Sequence, residues 1–143
     1  MTTEKPAEGV RILLVDDNPE IADLRASLLE RFGGEVIIAL TLKDAEAQLA
    51  SPAQFDVIML DVNLGSGPAD MRGLALAPES HRLRPDTPIV AYSSVFTESQ
   101  LPMHEHPEID RVLAKGSLGL ADLEDSTRGI VQLGREARAN RDK

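Results

Sequence analysis

The sequence predicts an α/β fold in which a five-stranded parallel sheet carries helices on both faces. Five short and nearly continuous apolar segments, VRILLV, EVIIAL, DVIML, PIVAYS and RVLAK, alternate along the chain with segments of helical periodicity. Strands without polar alternation are those buried on both faces, as in parallel sheets joined by helical crossovers. The 143 residues, 42% apolar and 27% charged, suit one domain with a single core.

The first strand is VRILLVDD (10–17), and NPEIADLRASLLERFGG (18–34) follows as an amphipathic helix with Ile21, Leu24, Leu28 and Phe32 at spacings of three and four. Asn18 is a suitable N-cap, Pro19 fits the first helical position, and Gly33-Gly34 can supply a left-handed C-terminal cap. EVIIAL (35–40) is the second strand. TLKDAEAQLA (41–50) is a helix capped by Thr41, with Leu42, Ala45 and Leu49 inward, ended by Ser51 and Pro52.

DVIML (56–60) is the third strand, and after a Gly-containing loop a third helix starts near Gly73 and runs toward Leu83. Pro78 lacks a donor and clashes with the preceding turn, so a kink or a fresh helix start is expected there. PIVAYS (88–93) is the fourth strand, a short Pro-broken helix is expected over about 97–105, and RVLAK (111–115) is the fifth strand. The last helix covers 119–137 and contains Gly129 and Gly134. Residues 1–9 are expected to be a flexible leader, 10–137 the domain, and 138–143 a polar tail.

No apolar run approaches the roughly 20 residues of a membrane span, and the N-terminus MTTEKPAEG has no apolar signal core. With no cysteine there is neither a disulfide framework nor a thiolate metal site, and a cytoplasmic location is expected. A formal net charge of −9 disfavours direct contact with nucleic acid or an anionic membrane.

Right-handed crossovers place the carboxyl ends of all the strands along one edge, where open α/β sheets bind ligands. The first strand ends in Asp16-Asp17, the third in Asp61, the fourth in Ser93-Ser94 and the fifth in Lys115. Each ending alone is compatible with a turn residue or helix cap, but together they collect three carboxylates, a hydroxyl and an ammonium. Carboxylates crowded together repel by about 4 kcal/mol per close pair at an effective dielectric near 20. Lys115 compensates one charge, which leaves room for a hard divalent cation such as Mg²⁺. Asp61 could then act as a nucleophile toward a phosphoryl group, whose oxygens would meet the metal, Lys115 and the Ser93 hydroxyl.

From about Arg11 to Arg135 the chain resembles the response-regulator receiver domain of two-component signalling. The resemblance is carried by the Asp pair in ILLVDDNP, the Asp in VIMLDVNLG, the hydroxyl residue five positions after Pro88 in PIVAYSS, and the Lys in RVLAKG. It implies a flavodoxin-like sheet of strand order 2-1-3-4-5. It also implies Mg²⁺ held by Asp16, Asp17, Asp61 and the Asn63 carbonyl, phosphorylation of Asp61, and contacts of Ser93 and Lys115 with the phosphoryl group. The implied phosphodonor is a sensor histidine kinase or histidine phosphotransfer protein. The chain is thereby expected to be a stand-alone signalling domain rather than an enzyme, acting through contact with a downstream protein.

Several positions depart from that family's pattern. Gly65 stands where a Pro is usual after the acceptor, SGPADMR lengthens the loop before Gly73, Val112 replaces the usual switch aromatic, and Gly116 replaces the frequent Pro. Tyr92 precedes Ser93, so strand alternation points it away from that residue. Two other functions are compatible with parts of the pattern. One is a degenerate receiver serving as a constitutive docking domain. The other is a Mg²⁺-dependent phosphatase with an Asp nucleophile, although such enzymes commonly carry a second Asp where this chain has Asn63. His104 and His106 offer two imidazoles without a third ligand, a weak metal site, and His81 is expected on the surface of the third helix.

Overall fold

The structure, a computed structural model, describes residues 9–61, 72–93, 109–114 and 120–141. Strands β1 (Val10–Val15), β2 (Gly34–Ala39), β3 (Val57–Asp61), β4 (Ile89–Ser93) and β5 (Arg111–Ala114) form one sheet in the order β2-β1-β3-β4-β5. Every pairing is parallel. The helices are α1 (Pro19–Arg31), α2 (Leu42–Ala50), α3 (Arg72–Leu83) and α4 (Leu120–Arg141). The flavodoxin-like order is therefore the one expected. The helix predicted near 97–105, the loop containing Asn63 and Gly65, and Lys115, Gly116, His104 and His106 lie outside the described residues.

The strands are largely apolar because each side of the sheet has its own core, and neighbouring residues along a strand serve different cores. Leu13, Val15, Ile58, Leu60, Ile89 and Ala91 pack with Ala45 and Leu49 of α2 and Leu76 and Ala77 of α3. The intervening residues Ile12, Leu14, Val57, Met59 and Val90 pack with Ala22, Ala26 and Leu29 of α1 and Ile130 and Val131 of α4. All five residues of β3 are buried, which holds its last residue, Asp61, rigidly at the carboxyl edge.

Local capping follows the sequence closely. Asn18 accepts hydrogen bonds from the amides of Glu20 and Ile21, and Thr41 accepts from that of Asp44. Gly33 adopts φ 103°, a left-handed conformation that a side chain would oppose. The buried face of α1 differs from the expectation. Ile21 and Leu24 are 37% and 59% exposed, whereas Ala22, Ala26 and Leu29 are buried. Small residues on the inner face let the helix approach the sheet closely, and this packing decides the rotation of the helix over the spacing of its largest side chains.

Helix α3 runs through Pro78 without a new start, so the expected interruption does not end the helix. Packing of Leu76 and Ala77 into the core, with the buried Ser80 hydroxyl donating to the Leu76 carbonyl at 2.8 Å, anchors it on the side away from exposed Pro78. Helix α4 continues four residues past its predicted end at 137, to Arg141. At Gly134 the helix lies close against the sheet. A methyl group there would collide with Val10 and come within 2.9 Å of Val57. Alanine gains about 1 kcal/mol in intrinsic helix propensity over glycine, but overpacking costs about 1–3 kcal/mol. Gly134→Ala is expected to lose up to about 2 kcal/mol net in chemical unfolding; increased stability would show that α4 can lift from the sheet without cost.

Candidate functional site

Strand geometry determines which end residues share a side of the sheet. Asp16 continues the register of Ile12 and Leu14, Asp61 that of Val57 and Met59, and Tyr92 that of Val90. All three therefore emerge on the side covered by α1 and α4. Asp16, Asp17 and Asp61 each bring one carboxylate oxygen to within 4.8 Å of the others. Asp16 and Asp61 are 0% and 3% exposed, while Asp17 opens to solvent. The cluster thus has a buried floor and one accessible ligand, a geometry open to an incoming group.

The first of these carboxylates is held on both oxygens. Asp16 Oδ1 accepts from the Asn18 amide at 3.0 Å, and Oδ2 accepts from the Tyr92 hydroxyl at 2.9 Å. Asn18 in turn caps α1, so the end of β1, the first acidic residue and the helix start form one continuous hydrogen-bonded unit. The positive end of the α1 dipole lies beside the acidic pair and favours negative charge there.

Tyr92 is the residue that the sequence reading did not connect to the site. Its ring is fully buried, lies across from Asp61 in the β3/β4 register, and carries the Arg25 guanidinium 4.7 Å from its centroid. Burial pushes the Tyr92 hydroxyl well above the ordinary tyrosine range; the Asp16 charge and hydrogen bond and the Asp61 charge reinforce the shift, and Arg25 opposes it. The hydroxyl is accordingly a proton donor to Asp16 at neutral pH. Strand alternation places Tyr92 on the side of the sheet covered by α1 and α4. The same alternation aims it at Asp16, a relation visible only once β1, β3 and β4 are known to be adjacent.

The other predicted site residues are placed to different extents. Ser93 ends β4, paired with Ala114 of β5, and its side chain is outside the described part of the molecule. Lys115, which follows β5 directly, and Asn63, two residues past the end of β3, belong to undescribed segments. A separate cleft of about 520 Å³, lined by His81, Asp86, Asp110, Glu136 and Arg141 among others, opens beside the residues that precede β4 and β5. It lies at the amino edge of the strands and contains none of the clustered aspartates. Among the described residues, no helix is long and apolar enough to cross a membrane.

Chemically, three convergent carboxylate oxygens are a donor set that suits a hard divalent cation, and Asp61 at the end of a buried strand is a carboxylate held in a fixed position. Comparison with known proteins identifies the family. The family model described as the response regulator receiver domain matches residues 12–125. The transcriptional regulatory protein ZraR of Salmonella typhimurium is 35% identical over 91 residues, which make up 62% of this chain and 20% of that protein, so the match spans about a fifth of the relative's length. A CheY-like response regulator receiver domain protein from Methanospirillum hungatei JF-1 superposes with a TM-score of 0.72 at 25% identity, over 90% of this chain and 98% of its own. A response regulator protein from Burkholderia pseudomallei, whose crystal structure holds a phosphorylated aspartic acid, a calcium ion and citrate, superposes with a TM-score of 0.69 at 25% identity, over 92% of this chain and 72% of its own. The family model alone covers most of the chain, and on that match the protein belongs to the response regulator receiver domain family.

Proposed function

We propose that this receiver accepts a phosphoryl group on Asp61 from a sensor histidine kinase or a histidine phosphotransfer protein, in the cytoplasm, and signals by protein–protein contact. The observation that carries this reading is the convergence of Asp16, Asp17 and Asp61 within 4.8 Å. In this reading Asp16, Asp17, Asp61 and the backbone carbonyl of Asn63 hold Mg²⁺. When bound, the ion supplies positive charge that offsets both the crowded carboxylates and the approaching phosphoryl oxygens.

The Asp61 carboxylate attacks phosphorus in line with the leaving histidine nitrogen. The new bond runs from an Asp61 oxygen to phosphorus, the phosphorus–nitrogen bond breaks, and the imidazole nitrogen recovers the electron pair and then a proton from solvent. Burial of β3 keeps Asp61 oriented for this attack, and Asp16 completes the floor against which it occurs. Lys115 and the Ser93 hydroxyl are assigned to the remaining phosphoryl oxygens. The domain in this role is a phosphoacceptor and not a turnover enzyme.

Incubation with Mg²⁺ and a small-molecule phosphodonor tests the assignment directly. Intact-mass measurement is expected to show addition of one phosphoryl group to the wild type and none to Asp61→Asn. An unmodified wild type would favour a constitutive docking domain, equal labelling of the variant would move the acceptor elsewhere, and continuous turnover of a phosphomonoester would indicate a hydrolase.

A further inference from the structure

We propose that Tyr92 is a positioning residue of the acidic cluster, its hydroxyl holding Asp16 in the orientation that serves a divalent cation, with Arg25 bracing the ring. The inference rests on the reading of Asp16, Asp17 and Asp61 as a cation site. Tyr92 belongs to β4, Asp16 follows β1, and β3 lies between the two strands. The tyrosine reaches across β3 to place its hydroxyl 2.9 Å from Asp16 Oδ2 and 3.4 Å from the Val15 carbonyl.

The contact is more than filling of the core. A phenylalanine or a branched aliphatic residue could occupy a buried β4 position without bringing a hydroxyl out of water, a transfer that is unfavourable unless the group is hydrogen-bonded. Here the hydroxyl meets the one side of Asp16 that the Asn18 amide does not engage. Among the described residues, each Asp16 oxygen then has at least one fixed donor, and a carboxylate oxygen accepting one hydrogen bond can also face a metal ion or its water. Neither carboxylate oxygen can rotate away without breaking a bond. The Arg25 guanidinium, from α1, covers the ring face and couples the tyrosine to the helix that begins at Asn18. Hydrogen-bond partners that orient ligating groups typically change metal affinity by about 10–100-fold when removed.

Tyr92→Phe retains the ring and the Arg25 contact and deletes only the hydroxyl. Binding of Mn²⁺ alone, followed by the resonance of the free ion, and of Mg²⁺ by competition, is expected to weaken by about 10-fold or more in the variant. Labelling by the phosphodonor is expected to need more Mg²⁺ but to approach the wild-type rate at saturation. A merely structural role would shift the unfolding midpoint and leave both dissociation constants in place. Wild-type binding matched within about twofold by Tyr92→Phe overturns the inference and leaves the proposed function intact, whereas failure of the wild type to bind either ion overturns both. The chain has one Tyr and no Trp, so the tyrosine emission of the unmodified protein reports on Tyr92 alone. It is expected to change saturably with Mg²⁺, and emission indifferent to an ion that binds would overturn the inference even if the variant failed to fold.

Discussion

Asp56→Ala is expected to be among the most destabilising single substitutions in the chain, with a loss of about 3 kcal/mol in urea unfolding. Asp56 is fully buried at the amino edge of the sheet, next to β3. One of its oxygens accepts from the Arg11 amide at 2.8 Å, and the other accepts from the Arg141 guanidinium at 2.8 Å. Arg138 adds an ion pair at 3.7 Å. Removing one partner of a buried pair commonly costs about 3–5 kcal/mol because the remaining charge is stranded. Here the Arg138 and Arg141 side chains are 27% and 20% exposed, so water can partly recover them and the lower end applies. The Arg11 amide, left without its side-chain acceptor, contributes about 1–3 kcal/mol of that loss. Arg141→Ala is expected to cost less, about 1 kcal/mol, since it removes one charge-assisted bond and leaves the Arg138 and backbone contacts. A loss below about 1 kcal/mol for Asp56→Ala would show that the last turn of α4 is not fastened to the sheet through this carboxylate.

The second large effect is linkage between cation and fold. Saturating Mg²⁺, at about 100 times its dissociation constant, is expected to raise the unfolding free energy of the wild type by about 2.7 kcal/mol. On the proposed reading the ion binds the native cluster, whereas the unfolded chain separates Asp16 and Asp17 from Asp61 and loses the convergent geometry. Asp61→Asn keeps the shape of the side chain and removes a charged ligand, so most of the Mg²⁺-dependent increment is expected to disappear. The comparison is made at constant ionic strength, because simple screening would also relieve repulsion among three close carboxylates. An equal increment in wild type and variant would mean that Mg²⁺ acts elsewhere on this acidic chain.

These two effects differ in how legible they were before folding. The acidic cluster was readable because each member ends an apolar strand, and parallel topology brings all such ends to one edge. The strand positions were readable because strands buried on both faces admit almost no polar residue. Caps were readable because they are local: Asn18 and Thr41 bond amides only two or three residues away. The Asp56 clamp was not. Arg141 lies 85 residues away, in a stretch whose charge alone suggested a polar tail. Tyr92 and Asp16 are separated by 76 residues, and their contact depends on the width of one intervening strand.

By itself the sequence determined the α/β class and the gathering of Asp16, Asp17 and Asp61, because periodicity and chain direction are properties of the covalent chain; the strand order followed from its resemblance to a known family. Tertiary structure alone decided that small residues face inward from α1, that Gly134 lets α4 lie close to β1 and β3, that Asp56 fastens that helix, and that Tyr92 reaches Asp16. Each of these depends on distances between residues far apart in the chain, and such distances exist only when both sides of the sheet have been packed.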